Sequence, residues 1–141
     1  MTKIIGNQKF NTASHCVYRL SYHVIFCPKF RRHILTSEKR DFLFETLKVL
    51  ALESKCEISD INGEENHIHF ILETPPTICL SFLIGKLKSK SASALLDKFG
   101  SFFWGRHERT VWSSGFFICS TGGASLDVIK QYIANQNSER G

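Results

Sequence analysis

The chain has 141 residues, 43% of them hydrophobic and 22% charged, with a formal net charge of +5. This length suits one domain with a sizeable core, and the composition excludes a disordered chain. The best candidate for a membrane span, "TICLSFLIG", stops at Lys86, well short of the ~18 apolar residues a crossing needs. The N-terminus lacks the apolar stretch and small-residue cleavage site of a signal peptide. Cys16, Cys27, Cys56, Cys79 and Cys119 lie far apart with no C-x-x-C pair. That spacing argues against a disulfide framework or zinc ribbon and predicts reduced thiols in a cytoplasmic protein. The positive charge favours an anionic partner, nucleic acid first.

With no repeats, low-complexity tracts or linkers, residues 1–141 read as a single domain, and 1–14 as a flexible polar arm. From Val17 to Phe26 the residues Tyr18, Leu20, Tyr22, Val24 and Phe26 alternate as on a strand. A basic turn, "CPKFRRHIL", follows. "TSEKRDFLFETLKVLALESK" predicts a helix capped by Thr36 or Ser37, with Leu43, Leu47 and Leu50 at helical spacing. "CEISDI" and "HIHFILE" read as two strands, and the Asn62-Gly63 between them suits a tight hairpin turn. After Pro75 and Pro76 a second helix runs over 78–99, carrying Leu83 and Leu87. "GFFICS" is a short aromatic strand, and 124–137 a final helix with Ser125 as cap. The order β-α-β-β-α-β plus a terminal helix predicts an α+β, ferredoxin-like antiparallel sheet with two helices on one face.

Alternation places His67 and His69 on the same side of their strand, with α-carbons roughly 6.5–7 Å apart. Ile68 and Phe70 then point into the core, and the histidines face the side the helices leave open. Two imidazoles at that spacing suit one cation, and equally suit an ordinary strand. On the terminal helix Tyr132 and Gln136 share a face at i and i+4. Gln136 offers an amide oxygen to a hard or borderline cation, and Tyr132 a hydroxyl able to attack phosphorus. The alternative is a packed tyrosine and a solvated glutamine. Lys29, Arg31 and Arg32 in the basic turn, and Lys86, Lys88 and Lys90 on the second helix, are candidate phosphate contacts. Phe102, Phe103, Trp104 and Trp112 are either core residues or platforms for unpaired bases.

The H-hydrophobic-H strand, together with "YHVIFCPKFRRHIL", "NHIHFILET" and "GGASLDVIKQYIANQ", resembles the single-tyrosine HUH transposases of the smallest bacterial and archaeal insertion sequences, close relatives of the REP-associated tyrosine transposases. The likeness runs from about Tyr18 to Gln136. Asn66 stands where an aspartate is frequent in that family. The resemblance implies that His67, His69 and Gln136 hold a divalent metal, Mg²⁺ or Mn²⁺, and that Tyr132 is the nucleophile carried by the terminal helix. It implies cleavage and rejoining of single-stranded DNA at element ends through a 5′-phosphotyrosine link, after recognition of DNA hairpins, with no nucleotide cofactor. It also implies a homodimer sharing active sites, with Gly122-Gly123 as the hinge of the tyrosine helix, working in the cytoplasm at the nucleoid of a prokaryote. The alternatives are a domesticated relative that nicks hairpin DNA and a non-enzymatic ferredoxin-like module binding single-stranded nucleic acid.

Overall fold

The computed structural model describes residues 2–100, 110–122 and 126–135, the stretch 126–130 by its backbone alone. Phe102, Phe103, Trp104, Gly123, Ser125 and Gln136 lie outside the described residues. Four strands make the main sheet: β4 (Leu20–Phe26), β5 (Glu57–Glu64), β6 (His67–Thr74) and β7 (Phe117–Ser120), in the antiparallel order β5-β6-β4-β7. Helices α1 (Ser37–Glu53) and α2 (Leu80–Phe99) link them in the expected βαββαβ order, and α3 (Leu126–Asn135) follows β7.

Periodicity explains the layers. Val24 and Phe26 on β4, and Ile68, Phe70 and Leu72 on β6, point to one face and are almost fully buried. They meet Leu43, Leu47 and Leu50 of α1 and Leu83, Ile84 and Leu87 of α2 in one continuous core. Aromatic edges lock its centre: Phe26 lies 5.3 Å from Phe70 and 5.4 Å from Trp112, ring centre to ring centre. Trp112 is therefore core, and its indole N–H donates to Ser91 Oγ at 3.0 Å. Thr36 Oγ1 accepts from Lys39 N to cap α1, as its position predicts.

Three details depart from the sequence reading. First, residues 2–18 are not simply an arm. They form a second antiparallel sheet of β1 (Thr2–Ile5), β2 (Gln8–Ala13) and β3 (Cys16–Tyr18). Its first turn uses Gly6 and Asn7, both in left-handed backbone (φ 54° and 68°), the conformation that matches strand twist in a two-residue hairpin. The stretch read as one strand from Val17 to Phe26 is divided at Arg19 between the two sheets. Second, the β5–β6 turn is Glu65-Asn66 rather than Asn62-Gly63, because Glu64 already pairs with His67. Leu35 N donates to Glu65 O at 3.0 Å and fastens that turn to the entry of α1. Gly63 is needed for another reason: a Cβ there would lie 2.5 Å from His67 O. Third, the pairing slips between Ile58 and Asp60, a bulge that lets Ile58 and Ile61, three apart, both face the core.

Candidate active site

The face of the sheet turned away from α1 and α2 carries a row of paired residues. Asn62, His69, Ile25 and Phe117 stand side by side on β5, β6, β4 and β7. His67 lies on the same face, opposite Glu64. The two imidazoles stack with centres 5.5 Å apart and planes 21° from parallel. They line a cavity of about 610 Å³ with Asp60, Glu64, Arg31 and Ile133. Alternation alone thus converges both predicted histidines on one space.

Electrostatics set their state. Burial, then the adjacent His69 and Arg31, holds His67 below the usual histidine range, although Glu64 pulls the other way. His69 is lowered by burial too, against the pull of Asp60 and Glu64. Both rings are neutral at neutral pH, the form that ligates metal. His67 Nδ1 lies 3.0 Å from Asn66 Oδ1. An amide oxygen only accepts, so Nδ1 carries the hydrogen and Nε2 keeps its lone pair. An aspartate would accept in the same way, so Asn66 preserves the orientation at this departure from the family pattern.

Two neutral imidazoles, one of them oriented by Asn66, in a cavity also lined by Asp60 and Glu64 fit a divalent cation. Among the described residues no third histidine, cysteine, aspartate or glutamate completes a cluster with them. A third ligand from another residue type, such as Gln136, is compatible with that count.

The tyrosine helix crosses the same face. Tyr132 packs against Phe117, ring centres 4.9 Å apart and planes tilted by 48°, and with Ile133 packs on Ile25 and Cys27. Ile133 and Ala134 line the histidine cavity and Tyr132 does not. Burial and the neighbouring Cys27 raise the Tyr132 phenol above its ordinary value, so it is protonated as it stands. Arg31 Nη1 donates to Ile133 O at 3.0 Å and ties the helix to the cavity wall.

Of the six predicted phosphate-binding cations, Arg31 reaches the cavity, while Lys29 and Arg32 belong to the same turn (Lys29–Arg31 and its cap). Lys90 is exposed on α2 and Lys86 donates to Ser54 Oγ at 3.2 Å. Lys88 is turned inward: its ammonium donates to Ser113 O at 2.7 Å and Gly115 O at 3.0 Å and lies 6.0 Å from the Phe26 ring. Gly122 is exposed in the turn after β7. Sequence reasoning missed Asp60 and Glu64, and named Asn66 only as a departure from the family pattern, without its bond to His67. Their signal was the alternation of β5 and the residue before the first histidine, readable once the hairpin register is known.

The protein is thus an α+β domain with a ferredoxin-like sheet, two histidines on its open face and a tyrosine-bearing helix laid across that face. The chain belongs to the IS200-like transposase family, whose model matches residues 16–136. It is 31% identical over 135 residues to the transposase for insertion sequence element IS200 of Salmonella typhimurium, covering 96% of this chain and 87% of that protein. It is 25% identical over 142 residues to the ISDra2 transposase of Deinococcus radiodurans, covering 99% of each. A crystal structure described as a Deinococcus radiodurans transposase superposes with a TM-score of 0.84 at 23% identity, covering 92% of this chain and 99% of that one. The structure of a REP-associated tyrosine transposase bound to a REP hairpin superposes with a TM-score of 0.53 at 14% identity, over 86% of this chain and 68% of that one. The sequence resemblance and the ferredoxin-like α+β fold are thereby established, and with them a transposase acting on DNA. No helix among the described residues is long and apolar enough to cross a membrane.

Proposed function

We propose that this protein cleaves and rejoins single-stranded DNA at the ends of an insertion sequence, with Tyr132 as nucleophile and His67, His69 and Gln136 as metal ligands. The observation that carries this reading is the pair of neutral, stacked imidazoles, one oriented by Asn66, facing the helix that bears Tyr132. A divalent cation held there, Mg²⁺ or Mn²⁺, supplies Lewis-acid neutralisation of charge on the scissile phosphate.

The chain's own residues do the rest. Tyr132 Oη gives up its proton and bonds to phosphorus, the P–O3′ bond breaks, and the departing 3′-oxygen takes a proton. The 5′ side remains as a phosphotyrosine. Attack by another 3′-hydroxyl reverses the step, joining strands and returning the phenol. One phosphoester replaces another at each stage, so no nucleotide cofactor is required. Because Tyr132 packs on Phe117 and its phenol is protonated, the tyrosine helix must shift when DNA arrives, and Gly122-Gly123 is the hinge. Arg31, Lys29 and Arg32 take backbone phosphates beside the cavity, with Lys86 and Lys90 extending the path.

A DNA hairpin is the recognised element, a reading supported by the hairpin bound to the REP-associated fold neighbour. The working unit is a homodimer whose tyrosine helices complete the partner's site, acting in the cytoplasm at the nucleoid.

The test uses hairpin-bearing single-stranded oligonucleotides with Mg²⁺ or with chelator. A covalent protein–DNA band is expected only with metal, and is lost in Tyr132→Phe and His67→Ala. An adduct in Tyr132→Phe sinks the nucleophile assignment, and unchanged cleavage in His67→Ala sinks the metal site. Sedimentation at micromolar concentration tests the dimer, which a monomer mass would rule out.

A further inference from the structure

The basic turn after β4 contains an aromatic in a costly conformation. Phe30 has φ 59° and ψ 19°, and Arg31 has φ 49°. Left-handed backbone disfavours side chains with a Cβ, and such residues persist where the surroundings impose them, often at binding sites. Here the surroundings are specific. Arg31 N donates to Pro28 O at 2.7 Å, Lys29 N donates to Val111 O at 2.8 Å, and Pro28 bridges to Trp112 of the core. The turn is therefore fixed.

What it presents is an exposed ring rather than a buried one. Phe30 keeps 43% of its surface open, so burial does not explain the conformation. Lys29 Nζ lies 5.7 Å and Arg32 Cζ 5.8 Å from the ring centre. The next residue, Arg31, lines the histidine cavity. Phe82, which is more exposed, sits on the outer face of α2 away from that cavity, and Trp112 is buried in the core. An aromatic with flanking cations, one residue from the cavity wall, has the chemistry that receives an unpaired base and its phosphates.

We propose that Phe30 is a base-stacking residue: an unpaired base of single-stranded DNA next to the phosphate at the histidine cavity stacks on its exposed ring, and the Lys29 and Arg32 side chains swing from the ring to the adjoining phosphates. This inference rests on the single-stranded DNA reading above and names one contact within it. It assigns Phe30 to substrate positioning and not to chemistry.

The experiment is equilibrium binding, by fluorescence anisotropy, of a labelled hairpin with a single-stranded flank. It is done in chelator and in the Tyr132→Phe background, so that cleavage plays no part. Phe30→Asn is the informative variant, because asparagine tolerates left-handed backbone and removes the ring. It should fold at least as well as the parent by thermal melting and bind the flanked hairpin roughly 5- to 50-fold more weakly. Phe30→Trp should bind like the parent, and a hairpin lacking the flank should not distinguish the three. An abasic nucleotide at the stacked position should remove the difference between parent and Phe30→Asn. Equal affinity of parent and Phe30→Asn for the flanked hairpin overturns this inference and leaves the proposed function standing. Equal weakening on the flankless hairpin also overturns it. Failure of the parent chain to bind any single-stranded DNA overturns both readings.

Discussion

Lys88, a predicted phosphate contact, is bonded within the protein, and a structural role and a phosphate role separate cleanly by experiment. Its ammonium bonds to the carbonyls of Ser113 and Gly115, on the segment that pairs with residues 27–29 and leads into β7. Ser113 is 5% exposed, so Lys88→Met leaves a buried carbonyl without its charged donor, a loss of about 1.5–3 kcal/mol. Methionine keeps most of the stem's packing. Removing the charge also relieves the desolvation that lowers the Lys88 pKa, which offsets part of the loss. The net expectation is a destabilisation of about 1–2 kcal/mol, a drop of roughly 3–6 °C in Tm for a domain of this size. A lysine that merely holds phosphate would behave in the opposite way. Its loss would leave Tm unchanged and flatten the salt dependence of single-stranded DNA affinity by about 0.7 in log–log slope. Thermal melting and binding titrations at several salt concentrations measure both. Lys88→Met should lower Tm with the salt slope intact, whereas Lys90→Met should do the reverse. An unchanged Tm with a flattened slope in Lys88→Met would refute the structural role.

Three further outcomes follow from the same contacts. Gly63→Ala should destabilise by about 1–2 kcal/mol, because the new Cβ meets backbone, His67 O at 2.5 Å and Ile68 Cα at 2.9 Å, which cannot swing aside. It should also weaken metal binding by displacing His67, whereas a melting curve equal to the parent's would show that the strands absorb the contact freely. For His67 and His69 the folded pKa is lowered, so above the unfolded value of ~6.5 both states are neutral and stability is complete. As pH falls below that value the unfolded chain takes up protons first, and stability declines until the folded pKa is passed. Urea midpoints between pH 7.5 and 5 should fall less in His67→Gln than in the parent, and parallel curves would contradict the assignment. Finally, hydrogen bonds from Ser81 and the Phe82 backbone hold the exposed Cys79 thiol below its ordinary pKa, while burial raises Cys27 to about 11. Brief alkylation at pH 8 should label Cys79 first and spare Cys27 until denaturation, as peptide mass mapping would reveal; early labelling of Cys27 would mean that α3 does not cover it.

The parts of the fold legible in the sequence are those written as periodicity. Leu43, Leu47 and Leu50 on α1, and Ile68, Phe70 and Leu72 on β6, declare their buried faces in any local window. The parts that were not legible depend on pairing partners. Asn62-Gly63 is a strong hairpin signal, yet the turn closes three residues later, where the Glu65 carbonyl is taken by Leu35 N. Local turn chemistry lost to a tertiary contact. The N-terminal sheet did carry a signal, Gly6-Asn7, but its strands are largely exposed and so lack the apolar alternation that marks a core strand. Lys88 looks like any helical lysine until Ser113 and Gly115, about twenty-five residues on, are placed against it. The candidate site divides in the same way. His67 and His69 converge because strand geometry makes them do so, whereas the present position of Tyr132 over Phe117 depends on how a helix lies on a sheet, which no spacing encodes.

The histidine pair is held by the core beneath it. β6 is flanked by β5 and β4, and its core residues Ile68, Phe70 and Leu72 are at most 2% exposed. A slip of one residue would turn those three outward and drive His67 and His69 beneath the helices. Exposing three large apolar side chains costs about 1.5–3 kcal/mol each, before any penalty for burying two imidazoles without partners. That sum is comparable to the whole stability of a domain this size. The register that orients the two histidines is therefore the register that folds the protein. Helix α3 meets the same face through the Arg31–Ile133 hydrogen bond and the packing of Tyr132 and Ile133 on Ile25, Cys27 and Phe117. In the proposed reaction the histidine face stays fixed by that register while α3 moves to bring Tyr132 to phosphorus.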